Sequence, residues 1–295
     1  MAEQPLIRHL AVIGVGLIGG SVARALKQAG AVGKVTGVGR NQQRLTEALD
    51  LGVVDAVSTD MKAVGDADVV LICVPMGVYG EVLSAIAGSL SPAAIITDVG
   101  STKQYTLVEA GRQLPYPHRF VPAHPIAGAE HSGVSASRVD LFRNHLCLMT
   151  PDATTDSDAV EIVRKMWTIC GCRVEQMSAD EHDDFLASVS HLPHVLAYAL
   201  VNAVSREADG QHDPFRFAAG GFRDFTRIAS SSPAMWRDIV MTNRKAVLSK
   251  LNTLEAELAA LRQAIEGNNG ERIIEMFSTA KQARDAWLKR REKGG

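Results

Sequence analysis

The sequence predicts an α/β fold in which a parallel β-sheet domain is followed by an all-α domain. In the N-terminal half, short runs rich in β-branched residues alternate with helix-patterned segments, which is typical of a parallel sheet with crossover helices. From about residue 179 the strand signals end and helical patterns continue to the C-terminus. Since 295 residues suit two domains, we expect them at residues 1–178 and 179–295.

Each strand is expected where a short apolar run is bounded by Gly, Pro or polar residues, and each helix where apolar residues recur every three or four positions. The first strand is predicted at 9–15, and the segment after it is predicted as a helix that ends at Gly30. Strand, helix and strand in this order imply right-handed crossovers. The other N-terminal elements are expected as helices at 44–52 and 79–90 and as strands at 34–39, 70–75, 94–100, 119–124, 145–151 and 172–177.

The C-terminal half is predicted to be helical throughout. Residues 180–205 form one apolar-periodic helix interrupted by Pro193, and a break is expected at Gly220 and Gly221. A later stripe of leucines could be an intramolecular core or a dimer interface, and the several apolar faces of this half favour a homodimer through the C-terminal helices. The stripe consists of Leu248, Leu251, Leu254, Leu258 and Leu261.

Composition and charge argue against several classes of protein. The formal net charge of −2 gives no reason to expect nucleic acid or an anionic membrane as a partner. The N-terminus lacks a signal-peptide pattern, and no unbroken apolar run approaches the roughly 18 residues of a membrane helix. We expect a cytoplasmic protein that binds a small-molecule substrate. The four cysteines are expected to be reduced thiols rather than disulfides or zinc ligands.

A glycine motif lies between the first strand and the first helix. Gly14, Gly16 and Gly19 form G-x-G-x-x-G, in which one glycine permits the turn, the next admits a pyrophosphate and the third lets helix pack on strand. This context predicts a Rossmann-type dinucleotide-binding domain. The expected cofactor-binding residues are Gly14, Val15, Gly16, Leu17, Ile18 and Gly19 in the loop, Gly39 and Arg40 after the second strand, and Val74 and Pro75 after a later one.

The end of the second strand bears on the identity of the dinucleotide. NAD-binding domains usually carry a carboxylate there for the adenine ribose, whereas this chain has Gly39 and Arg40. A guanidinium can bind a 2′-phosphate, which favours NADP. The alternative is an exposed arginine in an enzyme that uses NAD or either cofactor.

The segment HPIAGAEHSGV, residues 124–134, is an irregular loop rich in titratable groups. His124 follows the strand predicted at 119–124, which would bring its ring to the carboxyl edge of the sheet, where ligands bind in open α/β folds. A histidine is suited to take the hydroxyl proton as a hydride leaves the same carbon. The loop is therefore expected to form part of an active site.

Five segments, in order and spacing, resemble the prephenate/arogenate dehydrogenases of tyrosine biosynthesis. They are GVGLIGGSVARAL, TDVGSTK, HPIAG, SHLPH and GFRDFTRIA, and the resemblance extends from about Leu10 to Met241. It implies a Rossmann domain followed by a helical dimerisation domain, and an oxidative decarboxylation coupled to hydride transfer to NAD(P). It also implies that His124 and Ser101 are catalytic and that Arg227 and His194 bind substrate.

The residues themselves leave alternatives open. Arg227 could pair with Asp224 on a helix surface, or Asp224 could hold Arg227 in place for a substrate carboxylate. Ser101 could serve only a turn, and His194 could be a core histidine. Glu130 is either a pocket-rim residue or merely exposed. His191 and His194 are spaced like metal ligands, but hydride transfer needs no Lewis acid, so no metal is expected.

Two rival functions fit parts of the pattern. A 3-hydroxyacid dehydrogenase or imine reductase would share the architecture, but the hydroxyacid enzymes need a lysine on the helix after the domain junction, and residues 181–205 contain none. A non-catalytic NADP(H)-sensing protein would not need both His124 and Arg227. The sequence does not choose between prephenate and arogenate, and acceptance of prephenate with arogenate possible is expected.

Overall fold

A computed structural model describes residues 4–128, 131–208 and 213–293. Its strands are β1 (Ile7–Ile13), β2 (Val32–Val38), β3 (Ala56–Ser58), β4 (Val69–Ile72), β5 (Ile95–Asp98), β6 (Phe120–Val121), β7 (Ala123–Pro125), β8 (Leu146–Met149) and β9 (Arg173–Gln176). Its α-helices are α1 (Leu17–Gln28), α2 (Gln42–Asp50), α3 (Tyr79–Ala87), α4 (Lys103–Gln113), α5 (Ser157–Ile169), α6 (Ala179–Leu186), α7 (Leu192–Glu207), α8 (Gly220–Thr226), α9 (Pro233–Thr242), α10 (Arg244–Glu266) and α11 (Gly270–Lys293).

Six strands form a parallel sheet in the order β3-β2-β1-β4-β5-β6. The order reverses between β1 and β4, which is where dinucleotides bind in doubly wound folds. Alternate residues of β1 face opposite sides of the sheet: Leu10 and Val12 join one buried cluster, with α1 and α5, and Ala11 and Ile13 join the other, with α3. Burial on both faces explains the continuous apolar run of this strand. The expected parallel-sheet domain is confirmed.

The last three strands form a separate sheet, whereas the sequence predicts all strands in one parallel sheet. β7 pairs antiparallel with β8, and β8 pairs parallel with β9. The predicted strand 119–124 is split at Pro122, which has no N–H to donate to a ladder. The chain therefore leaves the large sheet after β6 and starts the small one at β7.

Helices α6 and α7 form one helical segment with a local opening at Ala187–His191. There the backbone N–H of Leu192 bonds to the carbonyl of Ala187, five residues earlier, in a π-helical turn. Pro193 directly follows and lacks the N–H that a regular helix needs. The interruption predicted at Pro193 is confirmed. The break predicted at Gly220 and Gly221 lies two residues earlier, since Ala218 and Ala219 are non-helical and α8 begins at Gly220.

The segment Ala179–Glu207 is 29 residues long, and its best 18-residue window has a mean hydropathy of 1.2, enough to suit a membrane span by composition. The sequence expectation overlooked this because polar residues interrupt every apolar run. Those polar residues include His182, Asp183 and His191, which are buried in the protein. Buried titratable groups with shifted pKa values, here His182 and His191, are typical of functional sites.

Contacts divide the chain into two compact units, residues 1–244 and 245–295. Helices α6 to α9 thus belong with the sheet, although the change from strands to helices falls at residue 178, and the boundary at 178/179 stays a prediction. In the C-terminal unit, Leu248 and Leu258 of the leucine stripe on α10 are about half exposed, at 46% and 54%. Exposed apolar surface of this kind is typical of a protein–protein interface.

Candidate active site

A cavity of about 770 Å³ lies at the carboxyl edge of the large sheet. This size is ordinary for a pocket that binds a cofactor. Part of the loop 124–134 reaches it through Gly133 and Val134. Among the residues expected to bind a dinucleotide, its walls include Gly14, Val15, Gly16, Gly39, Arg40, Val74 and Pro75.

The glycines of the first turn are required by the space around them. Gly14 has a φ of +92°, and a Cβ there would lie 2.5 Å from the carbonyl oxygen of Cys73. A Cβ on Gly19 would lie 2.7 Å from the Val12 side chain, so Gly19 allows α1 to pack on β1. Gly16 has open space beside it. That space is where a pyrophosphate would approach the backbone.

The start of α1 fits an anion. Gly16 is its N-cap residue and provides no side-chain cap, so the first N–H groups of the helix face the cavity edge without that partner. The side chains of Leu17 and Ile18 pack against the hydrophobic core, so only the backbone of these two residues is suited to contact a phosphate. Gly19 likewise acts through packing and does not line the cavity.

The end of the cavity beside β2 carries charged side chains of both signs. Arg40 and Arg44 line it, and Asn41 between them accepts the backbone N–H of Arg44 at 3.0 Å and so caps α2. Capping fixes the start of α2 and with it the place of Arg44. Glu47 also lines the cavity. Arg44 escaped sequence reasoning because it lies one helical turn beyond Arg40.

His124 lies in β7 and is half-buried. Its Nδ1 is 2.9 Å from Nε2 of His182, a fully buried histidine of α6. Nδ1 of His182 is in turn 2.8 Å from Oδ1 of Asp183. This chain of His124, His182 and Asp183 is called the histidine relay below. Sequence reasoning found only its first member.

The end of the relay is anchored at the start of α4. Oδ1 of Asp183 accepts the backbone N–H of Lys103 at 2.8 Å, and Oδ2 accepts that of Gln104 at 3.0 Å. Asn243 donates to the backbone carbonyl of Asp183 at 2.7 Å. The carboxylate therefore caps α4, where the helix dipole favours negative charge.

A buried ion pair holds the strand that carries His124. Nζ of Lys103 donates to Oδ2 of Asp98 at 2.6 Å and to the carbonyl of Ala123 at 2.7 Å. Oδ1 of Asp98 accepts the N–H of Ala123 at 2.9 Å. The side chains of Lys103 and Asp98 are fully buried. Lys103 could not be selected by sequence reasoning, since a charge at a helix start is usually exposed.

The surroundings keep His124 neutral. Burial lowers its pKa well below 6.5, and the nearby His182, Lys103 and His191 lower it further. Burial also lowers the pKa of His182, against the hydrogen bond to Asp183. A neutral imidazole has a lone pair that can accept a proton, so His124 is in the protonation state that a general base requires.

A second cluster lies along α7 and α9. The ring of His194 stacks on Trp236 with centroids 3.5 Å apart, and its Nδ1 is 2.9 Å from the carbonyl of Ser190. Burial lowers the pKa of His194, the hydrogen bond to the Ser190 carbonyl raises it, and the charge of Arg227 lowers it. A groove of about 500 Å³ adjoins the stack, with His194, Tyr198 and Trp236 among its walls.

His191 connects the two clusters. His191 is buried, and its ring meets the Trp236 ring edge-on. The distance between Nδ1 of His191 and Nδ2 of Asn243 is 3.2 Å. Burial lowers the pKa of His191 to about 4. His191 thus contacts the Trp236 ring of the second cluster and, through Asn243, adjoins the backbone of Asp183 in the histidine relay.

The remaining expected site residues lie outside both clusters or outside the described residues. Ser101 is half-buried in the turn between β5 and α4, next to the N-terminus that Asp183 caps. Asp224 is exposed, and its Oδ1 lies 3.4 Å from Nε of Arg223. Glu130 lies outside the described residues. The four cysteines are free: Cys73 is half-buried, and Cys147, Cys170 and Cys172 are buried.

The strand order arranges these groups along one edge. Arg40 follows β2, Gly14 follows β1, Val74 follows β4, and Ser101 follows β5. His124 comes just after β6. The edge from β2 to β6 covers four strand spacings, about 19 Å in all. The dinucleotide cavity therefore occupies one end of the edge and the histidine relay the other.

Two family models match the chain in succession. The model described as the nucleotide-binding domain of prephenate dehydrogenase matches residues 22–176, and that described as its dimerisation domain matches residues 178–279. Together they cover most of the chain.

Individual relatives agree with the family models. A cyclohexadienyl dehydrogenase of Zymomonas mobilis is 40% identical over 281 residues, covering 95% of this chain and 96% of the relative. A prephenate dehydrogenase of Bacillus subtilis is 38% identical, and the match covers 95% of this chain and 76% of the length of that relative. The crystal structure of a prephenate dehydrogenase from A. aeolicus, in complex with hydroxyphenyl propionate and NAD+, matches with a TM-score of 0.90 at 35% identity and covers 95% of this chain and 98% of its own.

Proposed function

This chain belongs to the prephenate dehydrogenase family, and we propose that His124 and Ser101 carry out its reaction beside a bound nicotinamide. The reaction is the oxidative decarboxylation of prephenate or arogenate in tyrosine biosynthesis. A hydride leaves the ring carbon that bears the hydroxyl. The carboxylate on the opposite carbon leaves as carbon dioxide, and its bonding electrons complete the aromatic ring. The ring oxygen keeps its hydrogen in the final phenol.

The observation that carries this assignment is the order of groups along the sheet edge. A bound NAD(P) supplies the hydride acceptor. The cavity on β2, β1 and β4 would hold it through Gly14, Gly16 and the start of α1, at the end of the edge away from His124. The nicotinamide end of the bound NAD(P) would then lie toward β5 and β6, next to Ser101 and His124.

His124 is assigned the proton transfer. The neutral imidazole accepts a hydrogen bond from the ring hydroxyl and draws the proton away as the hydride leaves, and the proton returns to the oxygen once the ring is aromatic. Ser101 would bond to the same hydroxyl from the turn after β5. Because His124 is kept neutral by burial, it can perform this step at neutral pH.

Arg227 and His194 are assigned to the substrate. A guanidinium offers two parallel N–H groups to a carboxylate, and its charge already acts on the His194 ring. Trp236, stacked on His194, would supply a wall for the cyclohexadienyl ring. Asp224 and Glu130 remain proposed substrate-binding residues.

The assay that tests this function measures nicotinamide reduction at 340 nm with prephenate and with arogenate, each with NAD and with NADP. The expected result is reduction with prephenate. Reduction with neither substrate would refute the assignment, whereas oxidation of a 3-hydroxyacid in its place would favour that rival chemistry.

Replacing Arg227 with Ala should raise the KM for prephenate at least about tenfold, because one charge-assisted anchor is lost. Initial rates at saturating cofactor measure this, with Arg164→Ala as the control, since Arg164 is an exposed arginine of α5 paired with Glu161. An unchanged KM in Arg227→Ala would mean that Arg227 serves only the helix surface.

NADP is the proposed preferred cofactor. Arg40 and Arg44 both line the end of the cavity beside β2. Gly39 and Arg40 occupy the end of the second strand, where NAD-binding domains usually carry a carboxylate. The related structure from A. aeolicus contains NAD+, so NAD is the alternative. A homodimer through the C-terminal helices is proposed from the half-exposed leucines of α10 and the match to a dimerisation domain, and a cytoplasmic location from the kind of reaction.

Arg40→Asp should shift the ratio of kcat/KM for NADP over NAD at least about tenfold toward NAD, because a carboxylate repels a 2′-phosphate and accepts from a 2′-hydroxyl. Arg44→Ala should weaken NADP alone. If neither variant moved the ratio, these arginines would not face the ribose.

A further inference from the structure

The histidine relay runs from the half-buried His124 into the fully buried part of α6. Two contacts of 2.9 and 2.8 Å join His124 to His182 and His182 to Asp183. No role in the reaction has been given above to His182 or Asp183. Asp183 also caps α4, but capping does not require a buried histidine at position 182, where an apolar residue would avoid burying polar groups.

The direction of the hydrogen bonds follows from the carboxylate. Both oxygens of Asp183 accept backbone N–H groups from the start of α4, so Asp183 acts as an acceptor toward His182 as well. Nδ1 of a neutral His182 must then carry the proton, and its Nε2 has only a lone pair. That lone pair accepts from Nδ1–H of His124.

The consequence falls on the other nitrogen of His124. With the proton on Nδ1, a neutral His124 has a bare Nε2, which is the form that can accept a hydrogen bond from a hydroxyl. The opposite tautomer would present an N–H to the substrate and could not take its proton. The relay therefore selects the tautomer that the reaction needs.

We propose that His182 and Asp183 are positioning residues that fix the tautomer and ring orientation of His124 for proton acceptance. This rests on the proposed function, in which Nε2 of His124 meets the ring hydroxyl. When that proton moves onto Nε2, the His124 ring becomes an imidazolium and Nδ1–H stays bonded to His182. The carboxylate of Asp183, one ring further on, stabilises the new charge.

The relay is held at both ends, in each case by contacts that include Lys103. Asp183 is held at the N-terminus of α4 and by Asn243, while the backbone of His124 is held in β7 by the Lys103–Asp98 pair acting on Ala123. A relay fixed at both ends leaves little freedom for the His124 ring to turn. Such preorganisation is what an acid–base group requires.

Two variants of His182 separate positioning from packing. His182→Met fills the space but offers no acceptor to Nδ1–H of His124, whereas the amide oxygen of His182→Gln can accept from it and its NH2 can face Asp183. We expect His182→Met to lower kcat at least about tenfold, with the KM for prephenate and the Kd for NADPH unchanged. His182→Gln should recover most of kcat.

The control is His9→Gln, which removes a histidine bonded to Thr36 and to the Asp66 carbonyl near the amino end of β1. This variant should keep wild-type kcat. If His182→Met and His182→Gln had the same kcat, or if both kept the wild-type value, the positioning role would be refuted. A wild-type enzyme inactive on both prephenate and arogenate would instead refute the proposed function.

The tautomer itself can be observed in the unmodified holoenzyme, which keeps the test decisive even if His182→Met does not fold. Histidine labelled with 15N, with His124 assigned by comparison with a His124 variant, reports which ring nitrogen carries hydrogen. We expect protonated Nδ1 and bare Nε2 on His124 at neutral pH. The reverse assignment would overturn the proposal.

Discussion

Replacing His124 with Asn should lower kcat by at least about a hundredfold, the usual scale for the loss of an acid–base group. Asparagine cannot take a proton from the ring hydroxyl, so the hydride must leave a carbon whose oxygen is not activated. Single-turnover and steady-state reduction of the nicotinamide at 340 nm both measure the loss.

The controls for His124→Asn are the Kd for NADPH and the thermal midpoint, both of which should stay close to wild type. His124 does not line the cofactor cavity, so NADPH should still bind. A kcat within a few-fold of wild type would remove His124 from the reaction.

The same assignment predicts a particular pH profile. Neutral His124 is the active form, and its pKa lies well below 6.5 because of burial and the nearby His182, Lys103 and His191. The acid limb of kcat/KM should therefore begin below the range of an ordinary histidine, and activity should be retained from neutral pH down past 6.5. A loss of activity centred at an ordinary histidine pKa would show that His124 is exposed to solvent when free.

Replacing Lys103 with Met should lower the free energy of unfolding by about 3–5 kcal/mol, because it leaves the fully buried charge of Asp98 without its partner. The change also removes the donor to the Ala123 carbonyl, so the strand that carries His124 loosens. Urea denaturation followed by circular dichroism measures the stability.

Lys27→Met is the matched control for Lys103→Met. Its ion pair with Asp55 has the same 2.6 Å length as the Lys103–Asp98 pair, but the two side chains are 31% and 40% exposed. Loss of such a pair should cost at most about 1 kcal/mol. The double variant Lys103→Met/Asp98→Asn should recover part of the loss, since no unpaired charge remains. Equal costs for Lys27→Met and Lys103→Met would contradict the account of burial.

Local signals were sufficient to predict much of the cofactor half. The tight turn at Gly14, the close packing at Gly19 and the open space at Gly16 are properties of single residues in a strand–turn–helix context. The interruption near Pro193 follows from a missing N–H. Each of these features depends on neighbours in the sequence, and so a pattern can indicate it.

The histidine relay depends on contacts that no local pattern shows. Asp183 reaches the start of α4 across 80 positions of the chain, and an acidic stretch at a helix start usually faces solvent. One signal was present nonetheless. The buried residues of α6 are Ala179, His182, Asp183 and Leu186, and their spacing is that of a buried helix face.

The small sheet and α8 show where local reading fails. Pro122 ends one strand, but the pairing of β7 with β8 decides that a new sheet begins there. Gly220 and Gly221 are helix breakers by propensity, yet α8 begins at them, because glycine keeps its N–H and its cost in a helix is only about 1 kcal/mol of backbone entropy.

The measurement that tests this account most directly is a crystal structure with NADP and 4-hydroxyphenylpyruvate, the product of prephenate oxidation, bound together. We expect Nε2 of His124 within about 2.6–3.2 Å of the phenol oxygen, with Nδ1 still bonded to His182 and the nicotinamide against the same ring carbon. A His124 ring turned toward bulk solvent, with the phenol oxygen bound elsewhere, would contradict it.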